Sequence, residues 1–404
     1  MNPRFDIKRD FGIYDQNPNL VYLDSASTTL VPKMAVSEVA TFLNTIVSSA
    51  RRGAHKLARM GNEVVETSRK NLAHFLDTEP SSISFQKSLP SAVASLIYGY
   101  NWKKKGKTKI VLSQNEENSI FVAVLRAAEV LGLNIEIITL DNNGSLSLNS
   151  LEKKVDDTTG IVAVGHIVPG IGIENPLKEV ETEVHSHDAL LLTDITRSIG
   201  LTDDRITNLK SDIFLFSGNI GLMSPPGLAI QWIAPSIDTN HIPGILGGSS
   251  VSNVEGTKYE TAFQPDKYES GYLNVPAIAG LGKSIDYLRN LHNRGLIRHL
   301  ENLSRYMKKR MGEIENIVLY GNNDDSSTIF GFNLKESSEI SCHDIALFLD
   351  ESNISVRSGL VCAHPLVQSI THDGLIQVSI HGYNTLEDIN HLIDTLILIN
   401  EQLV

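Results

Sequence analysis

The sequence predicts an α/β protein whose mostly parallel, doubly wound sheet is followed by a smaller α+β unit. Up to about residue 285, short β-rich runs alternate with longer helical stretches. Several of these runs are continuously apolar, which is typical of strands covered by helices on both faces. Beyond that point the pattern changes to a long charged helix and short strands. We therefore expect a large α/β domain over residues 20–285 and a small domain formed by residues 1–19 and 286–404.

The individual elements follow from the apolar periodicity and the turn residues between the runs. The predicted strands of the large domain are Val21–Leu23, Ser82–Phe85, Lys109–Leu112, Ile135–Ile138, Gly160–Gly165, Ala189–Thr193, Ile213–Phe216 and Leu228–Trp232. Its predicted helices include Ser91–Tyr98, Ser119–Leu131 and Pro176–His187. In the small domain, Ile285–Met311, Ile345–Glu351 and Thr385–Leu398 are predicted helices, and Ser327–Leu334 and Ser355–Ser358 are predicted strands.

Composition excludes several classes of protein. The 404 residues carry 35 Lys or Arg and 47 Asp or Glu, a net charge of −12 that disfavours nonspecific binding to nucleic acid. The first 14 residues have no apolar core of a signal peptide, and no apolar run approaches the roughly 18 residues of a membrane span. Two cysteines, Cys342 and Cys362, cannot form a disulfide framework. We expect a soluble cytoplasmic protein without membrane or nucleic-acid partners.

Two polar positions directly follow predicted strands, where open α/β sheets bind their ligands. Asp194 could pair with a protonated ring nitrogen or a metal, or it could simply cap the next helix. Ser217, followed by Gly218, suits close approach to a phosphate, although an ordinary turn explains the pair equally well.

The stretch Arg357–Pro365 carries the strongest local signal. Arg357 could hold a carboxylate in a bidentate fork, and Cys362 in a loop after Gly359 is a candidate nucleophile. A surface ion pair and a cysteine packed as a small apolar residue would give the same pattern. His55, in a basic patch, could touch an anionic substrate or lie in a solvated loop. The spacing of histidines and cysteines indicates no metal site, and there is no dinucleotide or Walker phosphate-loop motif.

Taken in order, six stretches resemble the class V aminotransferase-fold cysteine desulfurases, a group that includes selenocysteine lyases. The likeness extends from about residue 20 to 398. It implies a fold type I pyridoxal-phosphate enzyme, with a seven-stranded-type sheet, pyridoxal phosphate (PLP) as cofactor, and a dimer. The stretches are Tyr22–Ser27, Arg52–His55, Gly172–Leu177, Asp212–Gly218, Arg357–Pro365 and Tyr383–Thr385.

The resemblance also assigns roles to particular residues. It makes Asp194 the partner of the cofactor's ring nitrogen and Ser217 a phosphate ligand. It makes Arg357 the clamp for the substrate carboxylate and Cys362 the acceptor of sulfur. His55 is the expected second substrate contact.

Several other positions depart from the family pattern. Ile220 stands where the family has the lysine that forms the imine with PLP, and Glu116 stands where a histidine stacks on the ring. Ser88 lies in the loop that matches the family's threonine-bearing phosphate loop. The remaining departures are Pro169 for a ring-hydroxyl asparagine, Tyr272 for a threonine lent by the partner subunit, and Arg197 for a glutamine.

Ile220 has no amine and cannot form an imine. Each lost charge-assisted bond weakens cofactor binding by roughly 1.5–3 kcal/mol, so we expect no bound cofactor, and pyridoxal phosphate, if present, is not covalently held. The leading hypothesis is a non-catalytic homologue, partner or regulator, either a homodimer or paired with a competent relative. A second hypothesis is an enzyme that holds pyridoxal or pyridoxamine phosphate non-covalently or relays sulfur through Cys362. A third is a pocket for another small anion on which Lys87, Arg197 and Arg357 converge.

Overall fold

A computed structural model describes residues 5–51, 53–202, 208–238, 241–321, 326–334 and 340–403. Within these ranges the strands are β1 (Val21–Tyr22), β2 (Ile83–Gln86), β3 (Lys109–Ser113), β4 (Asn134–Ile138), β5 (Thr159–Gly165), β6 (Leu190–Asp194), β7 (Ile213–Ser217), β8 (Ala229–Ile233), β9 (Val251–Glu255), β10 (Lys258–Thr261), β11 (Ile317–Tyr320), β12 (Ile329–Leu334), β13 (Ile354–Ser355), β14 (Arg357–Gly359) and β15 (Leu375–Ser379). The helices are α1 (Ile13–Gln16), α2 (Lys33–Thr45), α3 (Lys56–Leu76), α4 (Leu89–Gly99), α5 (Trp102–Lys105), α6 (Asn118–Leu131), α7 (Leu148–Lys154), α8 (Leu177–Ser186), α9 (Pro235–Asp238), α10 (Val275–Asn293), α11 (Leu296–Met311), α12 (Cys342–Glu351), α13 (His364–Ile370) and α14 (Leu386–Leu403). Short 3₁₀ helices span Lys8–Asp10, Pro80–Ser82 and Asp266–Tyr268.

The large sheet has seven strands in the order β2-β8-β7-β6-β5-β3-β4. Five adjacent strands, β4, β3, β5, β6 and β7, run parallel to one another. Strand β8 runs antiparallel to both β7 and β2. Every residue of β5 and β6 is buried, as their continuous apolar runs predict. The predicted mostly parallel α/β sheet is confirmed.

Helices cover both faces of this sheet because successive side chains of a strand point to opposite sides. In β7, Phe214 and Phe216 join an apolar cluster with residues of α3 and α10, whereas Ile213 and Leu215 join one with residues of α4 and α6. Among the described residues, no helix combines the length and apolar character needed to cross a membrane.

A second, antiparallel sheet of order β11-β12-β15-β14 packs with α11, α12 and α14. The predicted strand at Val21 is present, but it pairs in parallel with β13 near Ile354 rather than entering the large sheet. The Oγ of Ser25 and the phenol oxygen of Tyr383 lie 2.7 Å apart, which ties the beginning of the chain to its end. Two of the stretches that carry the family resemblance therefore meet in the fold.

Two predicted boundaries were wrong, and one hairpin was missed. The single helix expected over 285–311 is two helices, because Gly295 adopts a left-handed backbone (φ +91°) that separates α10 from α11. The strand expected over 355–358 is divided between β13 and β14. The hairpin β9–β10 was not predicted, since its mostly exposed residues show no buried face.

Candidate active site

The candidate site lies at the carboxyl ends of three adjacent parallel strands. Gly165 ends β5, Asp194 ends β6 and Ser217 ends β7, and Gly165 pairs in register with Asp194. Because parallel strands end at the same edge of a sheet, two residues predicted from sequence, Asp194 and Ser217, are brought together.

Thr196 links these two residues. Its Oγ1 donates a hydrogen bond to Oδ1 of Asp194 and accepts one from the backbone N–H of Ser217 at 3.1 Å. The backbone N–H of Thr196 also donates to Oδ1 of Asp194, at 2.8 Å. The Asp-X-Thr pattern after a buried strand signals such a turn, so this residue could have been found from the sequence.

Glu116 adds a second carboxyl group that is 1% exposed. Its Oε1 accepts from the N–H of Glu117 at 2.9 Å, while its Oε2 has no hydrogen-bond partner within the described part of the chain. The carboxylate lies against Gly165, where an added Cβ would stand 3.2 Å from Oε1. Glycine at the end of β5 therefore provides the room that this side chain occupies beside Asp194.

When two carboxyl groups are buried next to each other, ionisation of both is unfavourable. Burial, and after it the charge of Asp194, raises the pKa of Glu116 well above its ordinary value. Burial, and after it the charge of Glu117, raises the pKa of Asp194 to about 6. Both shifts act against two negative charges in this pocket, and burial contributes most to each of them.

Glu117, the next residue, is the ionised member of this cluster. Nη1 of Arg197 lies 2.5 Å from its Oε2, and the two side chains are 5% and 14% exposed. Burial alone would raise the pKa of Glu117, but the Arg197 guanidinium outweighs burial and holds that pKa below its ordinary value. The position where the family has a glutamine is thus part of an internal ion pair.

Arg357 is also held by groups of the protein itself. Its Nη1 donates to Oγ of Ser27 at 2.9 Å and its Nη2 to Sγ of Cys362 at 2.8 Å. Its charge also acts on the carboxylates of Glu117 and Asp24. These bonds use two of the five N–H donors of the guanidinium, so a substrate carboxylate would share Arg357 with Ser27 and Cys362.

The loop that carries Cys362 is docked rather than extended into solvent. The carbonyl of Cys362 accepts from the N–H of Asn118, at the start of α6, at 2.7 Å. Val361 is 4% exposed and packs in a cluster with Val168. Both loop residues have left-handed backbones, with φ of +40° and +58°, and Cys362 itself is half-buried.

Two other predicted site residues cap helices. The Oγ of Ser88 accepts from the N–H of Ser91 at the start of α4, at 3.3 Å. The Nδ1 of His55 accepts from the N–H of Ala58 at the start of α3, at 3.2 Å. Their hydrogen bonds are local ones to their own helices. Arg52, part of the predicted basic stretch, lies outside the described residues.

The three cations of the anion-pocket hypothesis do not meet at one point. Arg197 and Arg357 both act on Glu117, whereas Lys87 lines a separate cavity of about 230 Å³ with Ser91 and Tyr272. Among the described residues, no group of three or more His, Cys, Asp or Glu side chains is arranged to hold a metal ion.

These residues do not fit PLP held in the manner of the family. Ile220, 8% exposed, offers no amine for an imine. Glu116 places a second buried carboxyl group beside Asp194, at the position that the sequence resemblance gives to a ring-stacking histidine. Arg357 already bonds Ser27 and Cys362. No step of a PLP reaction can be derived from this arrangement.

Comparison with known proteins places these observations in context. The family model for class-V aminotransferases matches residues 21–392. A protein of Methanothermobacter thermautotrophicus described as "Probable cysteine desulfurase" is 30% identical over 97% of this chain and 96% of its own length. The apo structure of a cysteine desulfurase from Thermococcus onnurineus has a TM-score of 0.90 at 26% identity and covers 99% of both chains. The structure of a C-DES variant with glycine covalently linked to its PLP cofactor has a TM-score of 0.81 at 18% identity, and the match covers 97% of this chain and 99% of that one. At this identity the likeness shows the fold alone.

Proposed function

Because the chain belongs to the class-V aminotransferase family, we propose that it is a cysteine desulfurase-like protein that has lost imine chemistry and acts as a non-catalytic partner or regulator. The observation that carries this proposal is the buried carboxyl group of Glu116 beside Asp194, combined with the apolar Ile220. Ile220 lacks the amine that would form an imine with PLP, and Glu116 stands at the position of the histidine that stacks on the cofactor ring in the family.

Energetics supports the same conclusion. A buried unpaired carboxylate is costly, and burial together with the charge of Asp194 raises the pKa of Glu116 and so favours its uncharged form. A bound cofactor ring would have to accommodate the buried Glu116 carboxyl group, which lies against Gly165 beside Asp194. Relatives in this family use PLP, so the cofactor remains the natural probe, and any PLP bound to this chain would be non-covalent.

The direct test is sulfide release from cysteine in the presence of PLP. We expect the unmodified protein to release no sulfide above a protein-free control. The single variant I220K should also stay inactive, because Glu116 and Arg197 still occupy the site. The double variant E116H/I220K restores the histidine and the lysine of the family pattern while Arg197 remains, so sulfide that it releases above the level of I220K measures the effect of Glu116. Robust sulfide release by the unmodified protein would overturn the proposal.

A second candidate function is sulfur carriage through Cys362, favoured by its half-buried thiol 2.8 Å from Nη2 of Arg357. In this reaction the Cys362 thiolate would attack the outer sulfur of a persulfide donor, form a new S–S bond and release the donor thiolate, with no net oxidation. Incubation with a low-molecular-weight persulfide and mass mapping of Cys362 tests this step, and the variant C362S is the control.

We further propose that the protein forms a dimer, with itself or with a competent relative. Large apolar side chains are exposed on and beside the hairpin β9–β10, including Val254 (63%), Tyr259 (56%) and Phe263 (91%). They adjoin a surface depression of about 680 Å³ that is also lined by Gly247 and Gly248. Apolar surface of this kind is typical of protein interfaces. Light scattering at micromolar concentration should give about twice the 44.4 kDa chain mass. A 44.4 kDa species would contradict self-association.

A further inference from the structure

A basic segment stands out in this acidic protein. Residues 289–310, from the end of α10 through α11, contain seven Lys or Arg and one Glu, whereas the whole chain carries a net charge of −12. None of these residues belongs to the candidate active site. The concentration of positive charge therefore calls for its own explanation.

Three of the seven positive charges lie together with Asn302 on one exposed face of α11. Arg298, Asn302, Arg305 and Lys309 follow one another at spacings of four, three and four residues, and all four are exposed. The opposite face is buried through its leucines and methionines, including Leu300. We call the four exposed residues the basic stripe.

A groove of about 690 Å³ runs beside the basic stripe. Arg298 and Asn302 of α11 line it, together with Leu386 at the start of α14, which is 46% exposed. Within it the ring of Phe5 stacks on His299 with centroids 4.5 Å apart, and the guanidinium of Arg294 lies 5.2 Å from the centre of the Phe5 ring. The groove thus already accommodates one apolar ring flanked by positive charge.

The charged and titratable side chains on the other sides of the groove show which of its edges is positive. Lys8 and Asp388 form an ion pair at 2.5 Å and cancel each other. Burial lowers the pKa of His299, so its ring is neutral at pH 7. Asp6 and Glu387 are the remaining carboxylates and lie with the N-terminal segment and α14. The side nearest the basic stripe is therefore the positive one.

We propose that the basic stripe and the groove together bind an acidic, amphipathic segment of a partner protein. Carboxylates of the segment would pair with the basic stripe, and one of its apolar side chains would enter the groove against Leu386 and Leu303. A nucleic acid is a poorer match, because the remaining surface of a chain with net charge −12 repels a long polyanion and the groove offers apolar contact.

The test uses fluorescence anisotropy with a labelled peptide of sequence Glu-Glu-Leu-Glu-Glu-Phe-Glu-Glu. Reversing two charges of the basic stripe in the variant R298E/K309E should weaken binding at least about tenfold, because each rim pair contributes up to about 1 kcal/mol and reversal adds repulsion. The variant K104E/R126E, with the same change in net charge on exposed residues of α5 and α6, is the matched control and should bind like the unmodified protein. Replacing the peptide's Leu and Phe by Gly should weaken binding through the groove.

The proposal is supported if binding falls with salt and is lost in R298E/K309E alone. It is overturned if the unmodified protein does not bind the acidic peptide, or if both charge-reversal pairs lose binding equally. Tighter binding of a single-stranded RNA of equal charge than of the peptide would also overturn it. Circular dichroism melting of each variant establishes that lost binding does not reflect unfolding.

Discussion

The Nη1 atom of Arg197 lies 2.5 Å from Oε2 of Glu117, and both side chains are nearly shielded from water. Nε of Arg197 has no hydrogen-bond partner within the described residues, so this ion pair is the main compensation for burying the guanidinium. It joins the end of β6 to the start of α6. The pair also places negative charge near Asp194 and Arg357, and so shapes the electrostatics of the whole strand edge.

Removing this guanidinium should destabilise the fold. We expect R197A to lower the free energy of unfolding by about 3 kcal/mol or more, because a buried carboxylate loses its partner. In contrast, R126A breaks the exposed pair with Glu129 and should cost at most about 1 kcal/mol. Urea denaturation of both variants measures the difference. If R197A and R126A lower the free energy of unfolding by equally small amounts, the fold does not depend on the Glu117–Arg197 ion pair.

The position of Glu116 can be tested through its contact with Gly165. In the unmodified protein, G165A places a Cβ 3.2 Å from Oε1 of Glu116 and should destabilise it by about 1–3 kcal/mol through overpacking. In an E116A background the same substitution should be tolerated, which gives a coupling energy in a double-mutant cycle. If the effects of G165A and E116A on the free energy of unfolding are additive, the Glu116 carboxyl group does not contact residue 165.

The carboxyl pair also makes stability depend on pH with a definite sign. The pKa of Asp194 is raised from its ordinary 3.8 to about 6 in the folded state. Between these values the folded chain binds more protons than the unfolded chain, so this group's contribution falls as pH rises from about 4 through 6. Glu116, whose pKa is also raised, extends the fall to higher pH.

We therefore expect E116Q to flatten the decline in stability as pH rises above 4.5, the ordinary pKa of this carboxyl group, as measured by denaturation at a series of pH values. The exposed E129Q should retain the slope of the unmodified protein. An unchanged slope in E116Q would contradict the raised pKa of Glu116.

The two thiols should differ in reactivity. Cys342 is 4% exposed, its Sγ donates to the carbonyl of Asp373 at 3.3 Å, and burial raises its pKa. Cys362 is half-buried and lies next to Arg357. We expect brief alkylation at neutral pH to label Cys362 about tenfold faster, read out by peptide mass mapping. Slow, equal labelling would remove sulfur carriage as a candidate function.

Much of the large domain's architecture was predictable because local patterns encode it. The apolar runs that became β5 and β6 are buried on both faces, and Asp194 and Ser217 fall at their predicted strand ends. The Glu117–Arg197 pair was not predictable, because its members are 80 residues apart and meet only when α6 packs over β6. The break at Gly295 was also missed, since apolar spacing continues on either side of a single left-handed residue.

The central claim, that this chain does not form an imine with PLP, is tested most directly by an absorption spectrum. The purified protein is incubated with excess PLP, desalted, treated with borohydride and mapped by mass spectrometry. We predict a colourless protein after desalting and no lysine that carries a reduced PLP adduct, because Ile220 stands in the lysine position and Glu116 lies beside Asp194. A yellow protein that retains one PLP per chain on a single reducible lysine would contradict the account.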